Sequence, residues 1–208
     1  MKRPVLVTVS GMVGSGKTTT VRRILDVLRG EGIDAVDWRF QRLPCINLSA
    51  SRGTAGRADP TERPDRVPRG QGYRARVLTS GTALGYVART LAFRVYRRWP
   101  PTASWAVSNR YFYDSFAHFD LEQGHGELYA RIVRTLLPKP DLAFLMVASP
   151  ETLAARRPQY SADYISHVEA GYRRLRDLFP ELIVIDSEMG AGEMERVEEA
   201  VRRRLAGD

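Results

Sequence analysis

The chain has 208 residues, 43% of them apolar and 27% charged, with a formal net charge of +8. That length suits one domain with a full core, and no apolar stretch approaches the roughly 20 residues of a membrane-spanning helix, so a soluble protein is expected. Cys45 is the only cysteine, which excludes an internal disulfide and points to a reducing, cytoplasmic setting.

The positive charge suggests acidic partners, either phosphorylated small molecules or nucleic acid. The excess is nearly all arginine, since lysine appears only as Lys2, Lys17 and Lys139.

The opening "MKRPVLVTV" has a basic start and an apolar run, but that run is too short for a signal peptide and no cleavage site follows. Its β-branched part, residues 5–9, predicts a buried parallel strand. Val21, Ile24, Leu25 and Leu28 then follow helical spacing over 18–29, and Gly30 and Gly32 stop that helix. Residues 33–40 predict a second strand. Over 41–76 the periodicity fails: Pro60, Pro64 and Pro68 interrupt it, and arginines stand at 52, 57, 63, 66, 69, 74 and 76. This is a mobile, Arg-rich loop or insert within one domain, because no second core follows it.

A helical pattern returns over 77–99 and ends at Pro100 and Pro101. The third strand is predicted at 104–108, followed by a helix at 127–137 that Pro138 and Pro140 close. The fourth strand is 142–148, helices start at 150 and span 163–179, the fifth strand is 182–186, and an amphipathic helix covers 193–205. Strands separated by helices predict an α/β fold, a three-layer sandwich around a five-stranded parallel sheet.

Gly11-Met12-Val13-Gly14-Ser15-Gly16-Lys17-Thr18 fits the phosphate-binding pattern G-x-x-x-x-G-K-S/T at every fixed position, and it lies between a predicted strand and a predicted helix. Glycines let the backbone curl so that N–H groups point at phosphate oxygens, and the helix start adds partial positive charge. This defines a P-loop NTPase site for ATP and Mg²⁺. Gly11, Gly14, Ser15, Gly16, Lys17, Thr18 and Thr19 form the donor site. Lys17 reaches the β- and γ-phosphates, and the Thr18 hydroxyl ligates the metal. No N-K-x-D run for guanine is present, and the fourth strand ends in "FLMVASPE" without an acidic pair to polarise water. Transfer to a bound acceptor is therefore expected rather than hydrolysis.

Asn109-Arg110-Tyr111, Ser115 and Ala117 resemble the Asp-Arg-Tyr motif of thymidylate kinases without a gap. "PDLAFLMVASPETLAAR" (140–156) is similar to the family's fourth strand and the helix entering its lid. "HVEAGYRRLRDLFPELIVIDSE" (167–188) is similar to its last helix, strand and adenine-side loop. The likeness covers roughly residues 1–30 and 77–208. It implies an ATP-dependent nucleotide-type kinase with a lid at about 156–163, and a homodimer formed through helices. The sequence also departs from that family. Val13 stands where a carboxylate would contact the acceptor sugar, Asn109 replaces the aspartate, and His118-Phe119 replaces the Tyr-Gln that reads thymine. The thymidylate reader is lost, and the transfer apparatus is kept.

Arg110 is expected to bridge the acceptor and the transferring phosphoryl group, with Asn109, Tyr111 and Ser115 beside it, although the rings of Tyr111, Phe112, Tyr113 and Phe116 suit the core better than a base-stacking platform. Arg156 and Arg157 are the expected lid arginines. Asp37, near the carboxyl end of the second strand, is a candidate base or water-mediated metal holder, with a structural ion pair as its alternative. Arg39 and Arg89 are candidates for the acceptor's anion, and Asp141 is at the wrong strand end for chemistry. The leading expectation is a small-molecule kinase acting on a nucleotide or nucleoside. A phosphorylated sugar or specialised-metabolite precursor is the rival acceptor. A 5′-end polynucleotide kinase or nucleic-acid binder is disfavoured, because Asp59, Glu62 and Asp65 dilute the charge of the basic loop.

Overall fold

Strand β1 (Val5–Gly11) is the middle of the sheet, and the other elements are arranged about it. In the computed structural model, which describes residues 4–38, 103–117 and 124–207, it leads into helix α1 (Lys17–Gly30). Strand β2 (Ala35–Asp37), strand β3 (Trp105–Asn109), helix α2 (Phe112–Phe116) and helix α3 (Gly124–Leu136) follow. The chain then forms strand β4 (Leu142–Val147), helices α4 (Pro150–Arg156) and α5 (Ala162–Leu178), strand β5 (Leu182–Asp186) and helix α6 (Ala191–Ala206). The described strands form one five-stranded parallel sheet in the order β2-β3-β1-β4-β5, with Val7 opposite both Val107 and Leu142.

Alternation along each strand sends side chains to two apolar layers. Val7, Val9, Trp105, Val107, Phe144 and Ile185 pack with Val21, Ile24 and Leu28 of α1 and Val197 and Val201 of α6. Leu6, Ala106, Ala143 and Leu145 belong to the opposite layer, with Phe112 and Phe116 of α2, Val133 of α3 and Ile165 and Leu175 of α5. Burying one such Val, Leu, Ile or Phe contributes about 1.5–3 kcal/mol, so both faces must be covered for the sheet to persist.

Gly171 fixes how closely α5 approaches α2. A Cβ there would lie 2.2 Å from the Ala117 carbonyl oxygen, a separation no side chain tolerates. The close approach delivers the next residue, Tyr172, to the end of β1.

After β1 the chain crosses to β2 on one side, and after β3 it crosses to β4 on the other. The direction reverses between β1 and β3, and in open parallel sheets ligands gather in the crevice at the carboxyl ends of such strands.

The second strand (Ala35–Asp37) starts two residues later than the predicted 33, and residues 39–40 of the predicted 33–40 stretch lie outside the described residues. Residues 31–33 are still completing the exit from α1: the Gly32 N–H donates to Arg29 O and the Ile33 N–H to Leu28 O. The other predicted elements that fall on described residues appear within two or three residues of their expected bounds. The 41–76 segment and the 77–99 helix lie outside the described residues. No helix among the described residues is long and apolar enough to cross a membrane.

Candidate active site

At Gly11, β1 ends with a φ of +142°, and an added Cβ would sit 2.3 Å from the Met146 carbonyl oxygen of β4. Only glycine fits so near a neighbouring backbone. The loop closes with the Ser15 N–H donating to Met12 O (3.1 Å), and Gly16 takes a left-handed φ of +91° to start α1. No side chain caps α1, and no acidic residue stands in its first turn. The positive end of the helix is thus directed at the loop without a protein anion to neutralise it. Thr18 and Thr19 are exposed there, while Ser15 is buried and its Oγ has no hydrogen-bond partner.

Lys17 is folded back on this loop. Its Nζ donates to Gly11 O (2.8 Å) and Met12 O (2.7 Å), and the residue is only 6% exposed. The loop therefore holds its ammonium in a polar pocket of its own carbonyls.

The end of β3 forms the second wall. The Asn109 Nδ2 donates to Thr18 Oγ1 (3.4 Å), and the Asn109 Oδ1 is buried without a partner. Arg110 is buried and has a φ of +81°, the only non-glycine residue with positive φ among the described residues. A left-handed arginine costs about 1–2 kcal/mol. The turn is held from both sides, because the Arg110 N–H donates to Val9 O (2.9 Å) and its carbonyl accepts from Ser108 Oγ (2.8 Å). Strain secured in this way belongs to functional sites more often than to ordinary turns.

Behind Arg110 lies a group that the sequence reading missed. The buried Asp114 carboxylate accepts from the Gly11 N–H (3.2 Å), the Tyr111 N–H (3.0 Å) and the Tyr172 hydroxyl (2.8 Å). The Tyr172 hydroxyl is also 2.8 Å from Gly11 O. Burial pushes the Tyr172 phenol well above its ordinary pKa, and the Asp114 charge adds to the shift while Arg110 opposes it. Tyr172 is therefore a permanent donor. Met12, Leu145, Leu153, Val184 and the Tyr172 side chain line a cavity of ≈ 150 Å³ on this side of the sheet.

The third wall comes from α4. Arg156 Nη1 donates to Gly14 O (3.0 Å), and a Cβ on Gly14 would lie 3.2 Å from the Arg157 Cγ. Both expected lid arginines thus sit against the loop. The segment after them is ordered by packing: Tyr160 is buried and stacks on Tyr164 at 4.9 Å, and the Ser161 Oγ accepts from the Tyr164 N–H. Glu188 binds the start of α4 through the Ser149 N–H (2.9 Å) and hydroxyl (2.7 Å). Hydrogen bonds from Thr152 and Ser149 hold its carboxyl below the ordinary glutamate range.

The structure thus brings together the 11–18 loop, Asn109, Arg110, Arg156 and Arg157. Asp37 lies at the carboxyl end of β2, opposite Val107, and is exposed. Tyr111 departs from its expected role at an acceptor. Its ring is 1% exposed in the core, and its hydroxyl donates to Pro138 O (2.6 Å), beyond the opposite end of the sheet. Ser115 is in α2, with its side chain outside what is described, and Arg39 and Arg89 are outside the described residues.

The residues present fit a magnesium ion held largely by a nucleotide. Among the described residues no group of three or more His, Cys, Asp or Glu side chains clusters to hold a metal. Mg²⁺ needs no such group, because it keeps several waters and takes one or two protein ligands beside phosphate oxygens. The Thr18 hydroxyl, on an exposed residue and accepting from the Asn109 Nδ2 (3.4 Å), meets that requirement. A scan against protein-family models and a comparison with curated proteins return no match to this chain.

Proposed function

We propose that this protein is a cytoplasmic, single-domain P-loop kinase of the thymidylate-kinase-like type, which transfers the γ-phosphoryl group of ATP to a small acceptor, a nucleotide or nucleoside. The observation that carries the reading is the juxtaposition of a glycine-curled, uncapped helix start bearing Lys17 and Thr18 with the strained Arg110 turn. A triphosphate tail would lie across the N–H groups at the start of α1. The Lys17 ammonium would leave its carbonyl partners for the β- and γ-phosphate oxygens. Arg110 and the α4 arginines would neutralise the charge that spreads over the transferring group, and one such arginine contributes about 10³–10⁵ in rate. Thr18 and Asn109 would hold Mg²⁺, which when bound supplies charge neutralisation between the phosphates. Asp37 is placed at the correct end of the sheet to take a proton from an acceptor hydroxyl.

A phosphorylated sugar is the second reading for the acceptor. It stays open because Val13, buried in the apolar layer, stands where the thymidylate-kinase pattern has a carboxylate for the acceptor nucleotide's sugar, which weakens the nucleotide reading. The test is ATP consumption with Mg²⁺, screened against nucleoside monophosphates, nucleosides and sugar phosphates. Lys17→Ala and Arg110→Ala are each expected to lower turnover by at least about 10³-fold with the circular dichroism spectrum unchanged. Full activity in both variants would remove the mechanism.

A further inference from the structure

The Gly11 peptide is held by an unusual set of groups. Its N–H donates to Asp114 Oδ1, and its carbonyl oxygen lies 2.8 Å from both the Lys17 Nζ and the Tyr172 hydroxyl oxygen. The same hydroxyl oxygen is 2.8 Å from Asp114 Oδ1. A phenol carries one proton, so Tyr172 can donate fully to only one of these two acceptors at a time. With Lys17 on Gly11 O, that carbonyl already has a charged donor, and the phenol proton belongs on Asp114.

If Lys17 leaves for a bound phosphate, Gly11 O is left in a buried place without its ammonium. A buried carbonyl without a donor is expensive, whereas Asp114 would still have the Gly11 and Tyr111 N–H groups. We infer that Tyr172 is a positioning residue that rotates its hydroxyl from Asp114 to Gly11 O as Lys17 departs, so that the ammonium is released to a triphosphate without orphaning the loop carbonyl. The proton stays on the phenol oxygen throughout, and no bond breaks. The inference rests on the proposed phosphate-binding role of the loop. It adds that ammonium release is coupled to α5 through Tyr172, 161 residues from Gly11 in the chain.

The relevant test is a double-mutant cycle in equilibrium MgATP binding, using Tyr172→Phe, Lys17→Met and the double variant of the full chain. Phenylalanine keeps the ring packing and removes only the hydroxyl. In the Lys17 background, Tyr172→Phe is expected to weaken MgATP binding about tenfold and to leave adenosine binding unchanged. In the Lys17→Met background no ammonium departs, so Tyr172→Phe is expected to change MgATP affinity less than twofold. Equal weakening in both backgrounds would overturn the relay and leave the phosphate-site reading standing. Absence of MgATP binding by the wild-type chain would remove that reading and the relay with it. A crystal structure with a non-hydrolysable ATP analogue gives an independent reading. Lys17 Nζ should have left Gly11 O while the Tyr172 hydroxyl remains within hydrogen-bond distance of it, and a phenol withdrawn from Gly11 O would overturn the relay whatever the affinities.

Discussion

The two ends of β1 use the same local device for different ends. At the amino end, Asp141 Oδ2 accepts from the Leu6 N–H (2.9 Å), and at the carboxyl end Asp114 Oδ1 accepts from the Gly11 N–H (3.2 Å). Asp141 also meets Arg204 of α6 at 3.3 Å, an arginine that keeps one third of its side chain in solvent. Asp114 instead faces a buried phenol and the backbone of a strained turn. The first carboxylate tethers a helix to a strand. The second holds a loop in a shape that a triphosphate would fit. On the proposed function, what separates the structural from the functional carboxylate is the company each keeps, not its bond to the strand.

Variants at the two ends should separate these uses. Asp114→Ala leaves the Gly11 N–H and the Tyr111 N–H without their acceptor, while the Tyr172 hydroxyl keeps Gly11 O, and is expected to destabilise the fold by about 2–3 kcal/mol. Activity should fall with it, measured as loss of both melting temperature and turnover. A stable, fully active variant would mean that the carboxyl end is no more delicate than the amino end. Gly171→Ala should cost about 1–3 kcal/mol by forcing α5 away from the Ala117 carbonyl. It should also weaken MgATP binding, because Tyr172 moves with the helix, and unchanged affinity would uncouple α5 from the loop. Asp141→Asn keeps an acceptor for the Leu6 N–H and loses the ion pair with Arg204, so about 1 kcal/mol of stability and no change in turnover are expected. A kinetic defect there would erase the distinction.

The loop and the sheet were legible because their signals are local. A β-branched run, a glycine-spaced octet and a helix-period stripe each occupy a few consecutive residues. The start of the second strand was read too early because Ile33 looks like a strand residue, while the turn out of α1 still holds its N–H on Leu28 O. Asp114 and Tyr172 were not legible. Their partners stand 103 and 161 residues away, and each looks ordinary in place: one acid in an aromatic stretch, one tyrosine on an apolar helix stripe. The Tyr111 ring takes the core position that an aromatic in an apolar stretch favours, while its place at a strand end says nothing of where its hydroxyl turns. Arg110 and the α4 arginines were legible as residue types, but the left-handed turn at 110 was not, since nothing in an arginine announces positive φ.

Position 110 has a consequence for selection. Glycine would occupy that backbone shape without strain, so a screen that rewarded only heat resistance would tend to discard the guanidinium. On the proposed function, a screen that rewarded turnover instead is expected to keep the arginine.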